Sequence, residues 1–164
     1  MATNTPRWIL RKPAGTDLVN VVTDLGDNFD KIDKAPRGEI SYGVLAVNQT
    51  PITAEVDVNN CTLAAYTTQT GQKLKITFTA MVSSSVAGDV AVVALKEDGV
   101  TIREFLMDLR LAGNTYTGMM AHRFLEDAGA AHVYKLTLRR VVGTGNLTAY
   151  ANNTSILLED IGAT

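Results

Sequence analysis

The sequence predicts a mainly β protein: an N-terminal extended arm plus one amphipathic helix, then a jelly-roll-like antiparallel β-sandwich. Three observations carry that prediction. Along Lys73–Val82 (KLKITFTAMV), Leu74, Ile76, Phe78, Ala80 and Val82 alternate with Lys73, Lys75, Thr77 and Thr79, one buried face and one wetter face. Runs of the same kind recur towards the C-terminus at near-regular spacing, separated by turn residues. Over residues 16–35 the apolar residues instead recur every three or four positions, the period of a helix stripe.

The first element, residues 1–15 (MATNTPRWILRKPAG), has two prolines, three basic residues and the sole tryptophan, with no period. Pro6 and Pro13 lack an N–H donor and bias the residue before them to extended backbone, which predicts an arm. The Trp8-Ile9-Leu10 patch has no shelter within the arm, so it folds back on the β domain or docks on a partner. Residues 16–35 follow as a helix, opened by Thr16 or Asp17 and stopped by Ala35-Pro36-Arg37-Gly38. Its stripe is Leu18, Val21, Val22, Leu25, Phe29 and Ile32, and Asp24, Asp27, Asp30 and Asp33 lie on the polar side. Gly26 and the β-branched residues weaken the helix, so the stripe needs a surface: its own β domain, or the same helix of sister subunits.

Residues 36–164 form the β domain, with strands expected at Tyr42–Val47, Cys61–Thr67, Lys73–Val82, Val90–Lys96, Val100–Leu109, Thr115–Phe124, Val133–Arg140, Leu147–Ala151 and Thr154–Glu159. Glu97-Asp98-Gly99 is the strongest hairpin signal between them. Many short strands joined by turns indicate a sandwich or jelly roll rather than a βαβ sheet.

At 164 residues the chain supports one good core, and its composition is that of a globular protein. The formal charge is -2, with no clustered basic excess that would ask for nucleic acid. No apolar run is long enough to span a bilayer as a helix, so no membrane is expected. Cys61 is the single cysteine, which leaves no intrachain disulfide to form. The polar, Pro-containing N-terminus does not read as a secretion signal, and assembly in a host cytoplasm is the expectation.

Chemistry-bearing patterns are sparse. His122 and His132 belong to no metal-spaced cluster, and Cys61 reads as a small buried residue. Ser83, Ser84 and Ser85 lack a nucleophile-elbow motif, and Gly143-Thr144-Gly145 reads as a hairpin turn rather than a phosphate loop. The helix aspartates, like Asp57-Val58-Asn59-Asn60, lack the turn a calcium loop needs, and Glu159 with Asp160 reads as terminal charge. The expectation is a non-enzyme with no catalytic residue, cofactor or metal.

The segment TPRWILRKPAGTDLVNVVTDLGDNFDKID, Thr5 to Asp33, resembles the N-terminal attachment region of bacteriophage virion proteins, mostly tail-fibre and minor structural proteins. Asn28-Phe29-Asp30-Lys31-Ile32-Asp33 is its most specific piece. From PRGEISYGVLAVNQTPITAEVDV to SILLEDIG the chain is similar, more loosely, to small β domains of actinobacterial phages and prophages. Those resemble trimeric jelly rolls of the tumour-necrosis-factor and complement-globular type.

The resemblance implies a homotrimer held on the virion by major capsid or tail proteins. Arg7, Trp8, Leu10, Arg11 and Lys12 are the expected anchoring residues, and the helix stripe the expected packing or oligomerisation surface. No fibre repeat separates arm from head, which favours a capsid decoration protein or short head or tail fibre. The alternative is a tail-tip protein that binds a receptor or host-surface glycan through the loops after Gly113 and Asp127.

Overall fold

The computed structural model of the chain describes residues 3–4, 11–12, 38–68, 71–126 and 130–163. The helix expected over 16–35 and its stripe lie outside them. In the arm, β1 (Thr3–Asn4) pairs antiparallel with β2 (Arg11–Lys12).

The β domain is a jelly-roll-like sandwich of antiparallel sheets, as the alternation predicts. Its spine is β7 (Gln72–Ser84), in which Leu74, Ile76, Phe78, Ala80 and Val82 all point inward and are buried. On one side β7 pairs with β10 (Tyr116–Glu126). On the other it pairs with β14 (Ser155–Ala163), which in turn pairs with the edge strand β3 (Gly38–Val44). β14 reaches only as far as Thr79, so β13 (Leu147–Ala149) continues beside Val82–Ser84 and carries β4 (Gln49–Ile52). The second sheet runs β5 (Val56–Thr62), β12 (Tyr134–Val142), β8 (Asp89–Glu97) and β9 (Val100–Leu109). A short ladder joins β6 (Tyr66–Thr67) to β11 (Ala131–His132).

Side chains from both sheets meet in one apolar cluster that includes Phe78, Ile76, Leu95, Tyr134, Leu136 and Ile156. Removing each such side chain from water contributes about 1.5–3 kcal/mol before entropy is counted.

Three local features decide how the sheets are cut. The β8–β9 hairpin turns on Asp98 and Gly99, at φ 48° and 87°, and Glu97 pairs with Val100 across it. Two positive-φ residues in a two-residue loop match the right-handed strand twist, which is why Asp-Gly suits it.

The fifth strand departs from the sequence expectation. It starts at Val56 and ends at Thr62, whereas Cys61–Thr67 was the predicted extent. Asn60 takes φ 59°, and the break in parity lets both Val58 and Cys61 point inward.

At the far end, Asp89 is fully buried and accepts from the Thr144 and Gly145 N–H groups at 3.1 and 3.0 Å. A Cβ on Gly143 or Gly145 would collide with that carboxylate, so the Gly-Thr-Gly turn is a glycine-shaped seat for Asp89.

Candidate functional site

The three serines that lack a nucleophile-elbow motif each bond to a turn or a neighbouring strand. Ser84 Oγ donates to Asp89, Ser85 Oγ accepts from the Asn146 N–H at 2.9 Å, and Ser83 Oγ lies 3.0 Å from Tyr150 Oη. Cys61 is buried, and burial pushes its thiol up to about 11, far from a reactive thiolate. Asp160 is buried beside Gln72, whose Nε2 donates to Asp160 at 3.0 Å and to Tyr66 Oη at 2.7 Å. Glu159, its neighbour, points the other way and pairs with Lys75 at 2.7 Å, so these two acids do not share a site. His132 sits at the β8–β9 turn, with Nδ1 2.8 Å from Asp98. The Val133 N–H, and then His132, hold the Asp98 carboxyl below its usual range. Among the described residues no group of three or more His, Cys, Asp or Glu side chains is placed to hold a metal ion.

Of the predicted anchoring residues, Arg11 and Lys12 fall in β2, while Arg7, Trp8 and Leu10 lie outside the described residues. So do Leu18, Val21, Val22, Leu25, Phe29 and Ile32. The loop at Gly113 is an exposed turn between β9 and β10, with Leu111 beside it 57% exposed. Residues 127–129 lie outside the described set.

Two surface features stand out instead. The first is the outer face of the β3–β14–β7–β10 sheet. Register sets Tyr42, Leu157, Thr77 and Ala121 in one outward row, and Val44, Ser155, Thr79 and Met119 in the next. These rows carry no charge. Tyr42 is 53% and Met119 71% exposed, and Thr77 Oγ1, between them, is buried without a hydrogen-bond partner. Charge returns only one row away, where Lys75 pairs with Glu159 and Arg123 follows.

The second feature is the open edge where β9 and β10, one from each sheet, face each other. Its upper part is closed by an aromatic plug. Phe105 stacks on Phe78 with ring centroids 5.6 Å apart, and Gly118 is the residue beneath its ring, where a Cβ would overlap it. The lower part stays open as a groove of about 830 Å³ between Thr101–Glu104 and Met120–Arg123. Here Arg103 pairs across with buried Leu95, and His122 with buried Ile76, so both take core-facing positions. They bridge the gap: Arg103 Nε donates to His122 Nδ1 at 3.0 Å. Burial, and then the neighbouring guanidinium, lower the pKa of His122. Glu104, on the same strand, turns outward and faces Arg139 at 3.7 Å. Sequence reasoning found His122 in no metal-spaced cluster and gave it no site. The signal was present, since His122 shares the inward parity of Tyr116, Gly118 and Met120 on β10.

No protein-family model matches the sequence, and no curated protein matches it. Among solved structures the chain is similar to that of infectious bursal disease virus Gt strain, at 14% identity and a TM-score of 0.47. That match covers 76% of this chain and 33% of the other, so the chain spans about a third of that protein's length. Eiger TNF from S. frugiperda matches at 13% identity and a TM-score of 0.48, over 78% of this chain and 96% of its own. Dimeric latent PorU from Porphyromonas gingivalis matches at 9% identity and a TM-score of 0.41, over 78% of this chain and 14% of its own.

Proposed function

We propose that the chain is a non-enzymatic phage virion structural protein that sits on the particle by its N-terminal arm and helix and displays a trimeric β domain. The observation that carries the reading is the uncharged outer face of β3–β14–β7–β10, with Tyr42 and Met119 exposed on its two outer strands. A sheet face of that character gains by being covered, and copies of the same chain are the occupant that the jelly-roll resemblance implies. The buried polar groups support a structural role: Asp89, Gln72, Asp160 and Ser84 each bond to a turn or a neighbouring strand.

Attachment rests on the Thr5–Asp33 resemblance. Arg7, Arg11 and Lys12 would pair with an acidic virion surface while Trp8 and Leu10 fill pockets, and three arms per trimer multiply a modest contact by avidity. The apolar helix stripe of residues 16–35 would pack near the trimer axis. Capsid decoration or a short head or tail fibre, assembled in the host cytoplasm, is the placement this reading favours.

The test is incorporation into particles. Trp8→Ala, or deletion of residues 1–15, is expected to leave the β domain folded and trimeric while removing the protein from purified virions. Truncated protein bound to particles in full stoichiometry would overturn the anchor assignment.

A further inference from the structure

The two sides of the sandwich end their sheets differently. On one side β3 and β5 come together, so closely that a Cβ on Gly43 would collide with the Asn60 carbonyl. On the other side β9 and β10 stay apart around the groove. Among the described residues β9 pairs only with β8, and β10 only with β7. Strands of 10 and 11 residues therefore each keep one edge without a ladder partner. An edge of that length is a template on which a strand of another copy can add.

Two observations place a block against such addition. The first lies in the sequence. Residues 102–107 are apolar except for Arg103-Glu104, and residues 119–125 are apolar except for His122-Arg123. A polar pair inside a β-prone run is what keeps it from stacking on its own kind. The second lies in the fold, which brings the two pairs to one level of the open side. Arg103 and His122 occupy core-facing positions opposite Leu95 and Ile76, and Arg103 Nε donates to His122 Nδ1 at 3.0 Å. Glu104 turns out towards Arg139, and Arg123 stands in the outward row with Lys75. The β8–β9 register also shifts here, between Leu95 opposite Arg103 and Lys96 opposite Thr101, and a bulge turns an edge away from a straight partner.

In the single chain Arg103 is exposed, and its charge is hydrated through the groove. A strand laid along β9 or β10 would cover that opening and strip water from a guanidinium set in a row of core-facing side chains, which is strongly unfavourable. We infer that the Arg103–His122 pair is an edge guard: it keeps the open side hydrated and stops β9 and β10 from pairing with the same strands of a second copy. The guard acts on the open side alone, whether or not copies meet through the Tyr42 face.

Arg103→Ile with His122→Val makes both core-facing positions apolar. The full-length double variant is expected to keep its near-ultraviolet circular dichroism. Its weight-average mass in sedimentation should rise about twofold or more over a roughly tenfold increase in concentration, with thioflavin T fluorescence rising alongside, while wild type holds its mass. Arg103→Met alone is the milder change and should move the same way to a smaller extent. Adding Met120→Lys to the double variant returns a charge to the groove lining and should restore the wild-type mass. Leu136→Ala, a cavity on the interior strand β12, should lower the melting temperature without growth in mass. Wild-type mass in the folded double variant and in Arg103→Met would overturn the guard. So would equal growth in Leu136→Ala, which would trace association to unfolding, or failure of Met120→Lys to reverse it. Repeating the series with Tyr42→Glu and Met119→Glu in every protein removes contacts through the other face, so an edge result and a trimer result are read separately.

Discussion

The outer faces of the two sheets finish their surfaces in different ways, although their inner faces are equally apolar. On the β5–β12–β8–β9 sheet, outward Val92, Ala94 and Thr137 are only 2–3% exposed. Long charged side chains stand around them. Glu55 bonds Lys96 at 2.6 Å and Thr137 Oγ1 at 2.8 Å, Lys135 bonds Asp57 at 2.9 Å, and Arg139 faces Glu104. Small outward residues roofed by the aliphatic stems of Lys, Arg and Glu make a surface that water can meet. On the β3–β14–β7–β10 sheet the two central rows have no such roof, and Tyr42 and Met119 stand open. One face roofs Val92, Ala94 and Thr137 within a single chain. The other is where a neighbour would complete it.

Charge placed on each face should separate them. Tyr42→Glu with Met119→Glu sets two carboxylates on the unroofed rows. Burying them in a contact between copies is unfavourable enough to weaken association by about 100-fold or more. Leu106→Glu puts one charge on the other sheet at a site already 67% exposed, and should leave association within about twofold. Sedimentation equilibrium of the three proteins reads both. Dissociation by Leu106→Glu alone would exchange the roles of the two faces.

Much of this contrast was legible in the sequence, and its gaps have physical causes. The strand β7 was readable because Leu74 to Val82 alternate without a break, and the Asp98-Gly99 turn because its backbone conformation demands those residue types. The start of β5 was not readable: Asp57, Asn59 and Asn60 are poor strand formers, and the left-handed Asn60 shifts the inward parity between Val58 and Cys61. The strand β4 is four residues long and includes Pro51, too short for period two to show. The groove depends on strand pairing. Nothing in the sequence sets Arg103 opposite His122, 19 residues away, until β9 and β10 are assigned to different sheets.

The second test examines the roof on the charged face. Glu55→Ala removes the acceptor for both Lys96 and Thr137, with an expected loss of about 1 kcal/mol, modest because the Glu55 side chain is 40% exposed. Lys96, and then the Thr137 hydroxyl, hold the Glu55 carboxyl below its ordinary value of 4.5. A depressed folded pKa gives stability that is present above that ordinary value and lost as pH falls through the folded one. The difference between wild type and Glu55→Ala in urea melts should therefore be constant from pH 7 to about 5 and shrink below pH 4.5. A difference that grew on acidification would contradict the ion-pair assignment.

The smallest effect concerns Arg139, and it separates charge from cover. Its pair with Glu104 is 3.7 Å long, with both side chains more than 40% exposed, so the Coulomb part should be within about 0.3 kcal/mol of zero. Its stem, however, is cross-strand from Val92, which is outward-facing and yet 2% exposed. Arg139→Met keeps a flexible aliphatic stem and should match wild type in urea melts to within about 0.3 kcal/mol, whereas Arg139→Ala should lose about 0.5–1 kcal/mol by uncovering Val92. If the two variants are equally destabilised, the charge rather than the stem finishes this face. The same question then moves to Lys96 and Lys135, whose aliphatic stems carry more closely paired charges.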